Sequence, residues 1–269
     1  MNSLQVHSKS TVHAMSTFPA FHLYCKAASD GLRVGDCPFT SSIAMAMHIK
    51  GIPCRLVPRT SENKDEWHLA EPYKGSMPCL RAEDGSFTIV DSAEIIKFVD
   101  SNCDGGPNLA GEGDIGWKLK AELDFFPPVA KYLKNKDPAM DVALEEKVKE
   151  KLSQLDALIG NYIILACISL SSTPHLHLNT IPESNGGEFI AGNSMTVVDC
   201  FVAGVLYHFQ CAVAPLKGKT FEGDFVHIGL PNLRAYVLNL ISLPAYQRGV
   251  LLYTAEDVLC GWRKAREEI

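Results

Sequence analysis

The chain has 269 residues, 46% of them hydrophobic and 21% charged, with a net charge of −6. This is a globular rather than a disordered composition, long enough for one large domain or two ordinary ones. The acidic balance gives no footing for nucleic-acid binding, which needs a basic face to displace counterions.

The most apolar run, residues 163–170, falls far short of the ~20 residues of a membrane-spanning helix, so no membrane association is expected. Nine cysteines are scattered without a C-x-x-C pair or a zinc-like Cys/His cluster, so neither a metal site nor a disulfide framework is expected. No secretory signal is present, which fits free thiols in a reducing compartment. Residues 1–17 hold no acid and are rich in Ser, Thr and His. They read as a disordered tail or the remnant of an organelle-targeting segment, and the lack of arginine favours a plain tail.

From Phe18 the pattern is strand, loop, helix: a strand over 21–26, a Gly-punctuated loop, then a helix over about 37–50. Phe39, Ile43, Ala46 and Met47 fall at one helical face. Gly51 ends the helix, and 52–57 reads as a second strand. A polar loop, 58–65, leads to a short helical turn at Glu66-Trp67-His68-Leu69. The next strand covers 75–81 and is interrupted by Pro78. Asp84-Gly85 is a two-residue hairpin signal, with Phe87–Val90 as the returning strand. Asp91-Ser92 then caps a helix over 93–99. The densest cluster of breakers, Gly105-Gly106-Pro107 with Gly111-Glu112-Gly113, marks a linker over 105–114 between an α/β domain (18–104) and a helical domain (115–269). In the latter, 117–134 and 143–164 are long helical patterns, the second carrying Leu144, Val148, Leu152, Leu155 and Leu158 on one side. Residues 169–188 read as a long surface loop. Thr196 and Asp199 form a capping box for an apolar helix reaching about Ala214. Shorter helices follow at 231–240 and 244–251, ahead of a tail ending Gly261-Trp262-Arg263-Lys264.

Chemistry concentrates at Gly35-Asp36-Cys37-Pro38-Phe39. Pro38 suits a first helical position, because its missing N–H has no intrahelical partner to lose. The Cys37 sulfur therefore sits at a helix N-terminus, where free N–H groups and the helix dipole favour a thiolate. Pro78 removes a ladder bond and fits either a strand edge or a cis turn. In a cis turn the Met77 backbone would face outward and hold an extended peptide. Asp91-Ser92 offers a hydroxyl, free N–H groups and a dipole, though alone it reads as simple capping. Lys26 and Lys64 are surface lysines or the charge for an anionic ligand or the thiolate. His48, His68 and His208 read as core or surface histidines. No Ser/His/Asp arrangement, Walker loop or dinucleotide fingerprint is present.

Taken together, Cys25-Lys26-Ala27-Ala28, Gly35–Phe39, Asp91-Ser92, Phe189-Ile190-Ala191-Gly192, Leu206-Tyr207-His208-Phe209-Gln210 and Gly261-Trp262 resemble the glutathione transferase superfamily. Within it, the chain is most similar to glutathione-dependent dehydroascorbate reductases of the plant and algal kind, from about Phe21 to Lys264. The resemblance implies an α/β plus all-α fold: a thioredoxin-like N-terminal domain, then a helical bundle. It implies an enzyme in which Cys37 is catalytic, with Lys26 and Asp36 beside it, and Lys26, Asp36, Lys64, Met77, Asp91 and Ser92 at the glutathione-binding positions. Glutathione is then a co-substrate, dehydroascorbate the other substrate, no cofactor is bound, and the protein is a cytoplasmic monomer, with the plastid as the alternative compartment. The family usually continues Cys-Pro-Phe-Ser-Gln-Arg, whereas Thr40-Ser41-Ser42 stand here. Thr40 also occupies the place of the second cysteine of a two-thiol motif, which implies a monothiol cycle, and is a candidate donor to the thiolate. A glutaredoxin-like or omega-type thiol transferase, or a non-catalytic relative like the chloride intracellular channel proteins, would share much of this pattern.

Overall fold

The computed structural model describes residues 20–103, 105–170, 188–226 and 229–267. Four strands, β1 (Phe21–Lys26), β2 (Cys54–Arg59), β3 (Cys79–Ala82) and β4 (Thr88–Val90), form one sheet in the order β2-β1-β3-β4. β1 and β2 run parallel, while β1/β3 and β3/β4 are antiparallel. The β1–β2 crossover carries helix α1 (Pro38–Ile49), and α2 (Glu66–Leu69) and α3 (Ser92–Asn102) complete a thioredoxin-like unit. Among the described residues the regular elements that follow are helices, with α4 (Ile115–Leu123), α5 (Phe126–Lys134), α6 (Pro138–Leu170), α7 (Val197–Lys217), α8 (Pro231–Ser242), α9 (Pro244–Gly249) and α10 (Ala255–Glu267).

Several expected boundaries move for identifiable reasons. β2 continues through Pro58, because it is an edge strand and the missing N–H falls on the side with no partner. β3 starts only at Cys79, since the Met77–Pro78 bond is cis. The single helix expected over 117–134 is two. Asp124 takes a left-handed conformation (φ 35°, ψ 58°), and Pro127 and Pro128 cannot donate to the carbonyls four residues back. The expected C-terminal tail is helix α10. Its start is a second capping box: Thr254 Oγ1 donates to Asp257 Oδ2 at 2.7 Å and accepts from the Asp257 N–H at 3.2 Å. The first box stands where the Thr196/Asp199 spacing put it. Of the surface loop expected over 169–188, residues 169–170 belong to α6 and 171–187 lie outside the described residues, as do the expected tail at 1–17 and residue 104.

Helix α1 is the seam of the molecule. It packs against α3, α7 and α9, and Ile43, Met45 and Met47 along it are fully buried. A Cβ on Gly204 of α7 would lie 2.7 Å from the Pro38 carbonyl, and one on Gly249 of α9 would lie 2.4 Å from Met45 Cα. Both helices reach α1 only because those positions are glycine. Each fully buried Ile or Met contributes roughly 1.5–3 kcal/mol, so α1 ties the two parts of the chain together.

Helix α7 corrects the sequence reading of apolar length: among the described residues it is long and apolar enough to cross a membrane. Most of its apolar stretch is buried inside the fold as the central helix of the bundle.

Candidate functional site

Strand register assembles the site. β1 ends at Lys26 opposite Arg59 of β2, Tyr24 pairs with Cys79 of β3, and Cys79 pairs with Val90 of β4. Residues just past Lys26, just before Cys79 and just after Val90 therefore share one edge of the sheet. Those residues are the loop to Asp36 and Cys37, the Met77–Pro78 turn, and Asp91-Ser92. Lys64 follows β2 at the same edge.

The loop after β1 folds back on itself. The Ala28 N–H donates to the Arg33 carbonyl (2.9 Å), and the Gly35 N–H donates to the Lys26 carbonyl (2.7 Å). A Cβ on Gly35 would lie 2.3 Å from the Ala27 carbonyl oxygen, so only glycine closes this loop. Closure returns Asp36 to Lys26, whose Nζ sits 2.8 Å from Asp36 Oδ1. The lysine is 47% exposed and the carboxylate 13%. Burial pushes the Asp36 carboxyl above its ordinary range, against the pull of Lys26.

Cys37 is half-buried and is the N-cap of α1, with extended backbone (φ −135°, ψ 107°) and Pro38 following. Its side chain makes no capping bond, which leaves the sulfur free at the helix start. Cys25, Cys37, Cys54, Cys79, Cys200, Cys211 and Cys260 are free thiols. Burial pushes the Cys25 thiol up to about 12, with the neighbouring Cys37 and Cys54 adding to it. That keeps Cys25 protonated. Thr40 is fully buried, and its Oγ1 makes no hydrogen bond, so the expected bond to the Cys37 sulfur is not made.

At the second helix start, Asp91 rather than Ser92 is the cap. Its Oδ1 accepts from the Ala93 and Glu94 N–H groups at 2.8 and 3.2 Å, and its backbone adopts φ 74°. Ser92 is the first helical residue, half-exposed. Lys64 lies with its stem across Gly75, where a Cβ would meet its Cδ and Nζ at 3.2 Å.

The C-terminal helix also touches the site, which the sequence reading missed. A Cβ on Gly261 would lie 1.6 Å from Asp36 Oδ2, so α10 rests directly on the carboxylate. Arg33 donates to both carboxylate oxygens of Asp257 (3.0 and 3.1 Å) and tethers the loop to the start of α10. Behind the loop, Tyr253 Oη lies 2.7 Å from Ser41 Oγ and 2.9 Å from His208 Nε2. Of the two alternatives read from the sequence, core or surface, His208 is core. Burial, with Lys26 adding, pushes it down to about 3. His68 is core as well, and His48 is partly exposed near the end of α1. Two residues along α1 from Cys37, Phe39 lines an apolar cavity of about 270 Å³ with Phe126, Phe201, Val202 and Val205. Lys120 sits over the Phe201 ring at 4.4 Å. No group of His, Cys, Asp and Glu among the described residues could hold a metal ion.

The small mixed sheet, the cysteine at the start of α1 and the helical second half give the chain the fold of the glutathione transferase superfamily. Residues 33–107 match the glutathione S-transferase N-terminal domain family. Within that superfamily the similarity runs to the dehydroascorbate reductase type. The chain is 25% identical over 232 residues to the probable glutathione S-transferase DHAR1, cytosolic, of Oryza sativa subsp. japonica, covering 85% of this chain and 90% of that one. It is 23% identical over 231 residues to the probable DHAR2, chloroplastic, of the same plant, covering 86% and 71%. Among solved structures it superposes on the Chlamydomonas reinhardtii dehydroascorbate reductase with a TM-score of 0.67 at 22% identity, covering 91% of this chain and 98% of that one. It also superposes on the C. elegans CLIC homologue EXC-4, with a TM-score of 0.63 at 18% identity, covering 93% and 83%.

Proposed function

We propose that the chain is a glutathione-dependent dehydroascorbate reductase working through Cys37. The observation that carries this reading is the closed loop that sets the Lys26–Asp36 pair beside a cysteine at a helix start. The dehydroascorbate reductases among the relatives support it. Lys26 and Asp36 hold the substrate, and the Cys37 sulfur, free at the helix start, attacks it. Two electrons pass from the cysteine sulfur to the substrate, which leaves as ascorbate, and a first glutathione forms a mixed disulfide with Cys37. A second glutathione thiolate attacks that disulfide, releasing oxidised glutathione and restoring Cys37. Thr40 in place of a second cysteine, and the buried, protonated Cys25, favour a monothiol cycle with ping-pong kinetics. Met77 pairs with the glutathione backbone, Ser92 and Asp91 bind its glutamyl end, and Lys64 supplies positive charge. Residues 18–104 form the glutathione-binding unit, joined by 105–114 to the helical one.

A second reading is favoured by the apolar cavity beside Phe39, which suits thiol transfer from apolar mixed disulfides. One experiment tests both. Turnover of dehydroascorbate and of a small apolar mixed disulfide is measured for the natural chain and for Cys37→Ser. Dehydroascorbate turnover with glutathione that is nearly abolished in Cys37→Ser supports the first reading. Turnover of the disulfide alone moves the assignment to thiol transferase, and near-normal turnover of Cys37→Ser overturns the role of Cys37 in both.

A further inference from the structure

We propose that His68, a fully buried histidine of α2, is a positioning residue that aims the Met77 N–H at glutathione; this rests on the reading of Cys37 and Met77 above. His68 is 0% exposed, and its Nε2 lies 2.7 Å from the Ser76 carbonyl oxygen. A carbonyl oxygen only accepts, so Nε2 carries the ring proton and donates. The histidine backbone takes part too, as the Gly75 N–H donates to the His68 carbonyl at 2.7 Å. One residue thus closes the loop 69–76 at its far end by two bonds, one from its backbone and one from its ring.

The ring itself is held in place. Trp67 stacks on it at 5.0 Å with 13° between the planes, and Tyr24 meets its edge at 5.8 Å. Arg81 covers Trp67 at 4.1 Å. A clamped ring makes the direction of its N–H fixed rather than averaged.

The consequence reaches Met77 through the peptide plane. The Ser76 carbonyl and the Met77 N–H belong to one trans peptide unit, in which the two groups point in opposite directions. Drawing the carbonyl toward buried His68 turns the Met77 N–H away from the interior, where it makes no bond within the described residues. A backbone donor without a partner, aimed outward beside the cis Met77–Pro78 turn, is what an extended peptide such as glutathione needs for strand-like pairing. Gly75, fixed by the same histidine, is the surface across which the Lys64 stem lies. His68 therefore sets the direction of one proposed glutathione contact and the seat of a second without touching the ligand.

The test uses the full chain with His68→Phe, which keeps a stacking ring and loses the donor, and His68→Gln, which keeps an N–H donor. Glutathione affinity is measured by titration calorimetry, and Cys37 alkylation by iodoacetamide without glutathione serves as a readout of the cysteine alone. In His68→Phe the glutathione Kd rises about five- to tenfold, the scale of one net hydrogen bond, while alkylation is unchanged; His68→Gln recovers most of the affinity. Equal affinity in natural chain and His68→Phe overturns the proposal, as does equal loss in both variants, which would assign the effect to packing. No glutathione binding by the natural chain defeats the reading of the site instead. The natural chain supplies a further check independent of any variant's folding: the Met77 amide exchanges freely without glutathione and is protected with it. Free exchange in both states overturns the proposal.

Discussion

Asp36 and Gly261 show how much one atom decides. The carboxylate occupies the space that any side chain at 261 would fill, with a Cβ reaching to 1.6 Å of Oδ2. The obstruction is the whole Asp36 carboxyl group, carbon and both oxygens within 2.5 Å, so in Gly261→Ala that group swings aside and its 2.8 Å contact with Lys26 is lost. Because the pair is partly exposed, its loss costs stability only about 1 kcal/mol or less. The proposed substrate contact is lost with it. We expect Gly261→Ala to keep a near-natural melting temperature and to lose kcat/KM for dehydroascorbate by roughly tenfold or more, the scale of one contact to a charged group. Natural kinetics in that variant would remove Asp36 from the site.

At the scale of elements, the loop between β1 and α1 is held by its own bonds and by α10. Burial pushes the Asp257 carboxyl up, but the Thr254 bonds and Arg33 outweigh it and hold the carboxyl below its usual range. Arg33→Ala removes the bidentate tether and leaves the Thr254–Asp257 cap intact. With Arg33 55% exposed, solvent screens the pair and we expect only a small stability loss. Amide exchange at Ala28 and Gly35 should be faster, because those bonds close the tethered loop. Unchanged exchange at both would show that the loop stands without α10.

At the scale of the whole molecule, α1 joins sheet and bundle, and the Ser41–Tyr253–His208 contacts lie in that seam. His208 is pushed down from an ordinary 6.5 to about 3 by burial, with Lys26 adding. A depressed folded-state value means that the fold favours the neutral ring. This stabilisation is complete above pH 6.5 and is lost as pH falls towards 3, at up to about 1.4 kcal/mol per pH unit. Urea unfolding of natural chain and His208→Gln at pH 7, 6, 5 and 4 should show a flatter decline in the variant. Depressed carboxylates such as Asp141 and Asp257 add to the decline only below about pH 5, so the steps from pH 7 to 5 report on His208. Parallel declines would place the acid sensitivity elsewhere.

Whatever depended on neighbours in the chain was legible without a structure. The β1–loop–α1 sequence, the Cys37–Pro38 helix start, the Asp84-Gly85 hairpin and the Thr196/Asp199 box all rest on bonds spanning a few residues, so residue type and spacing suffice. Lys26 and Asp36 were expected together only through the family resemblance, and the closed loop between them is what brings them to 2.8 Å. The Thr254/Asp257 box carried the same local signal as Thr196/Asp199, yet the segment holding it was read as tail. Helix α1 was read as one-sided from Phe39, Ile43, Ala46 and Met47, and Thr40, Ser41, Ser42 and Met45 are buried too, because α7 and α9 cover the face that periodicity assigns to solvent. The tertiary structure alone decided that Gly261 meets Asp36, that Arg33 meets Asp257 across more than two hundred residues, and that His68 braces the peptide before Met77. Those contacts depend on the packing of separate elements, for which the order of residues along the chain holds no period.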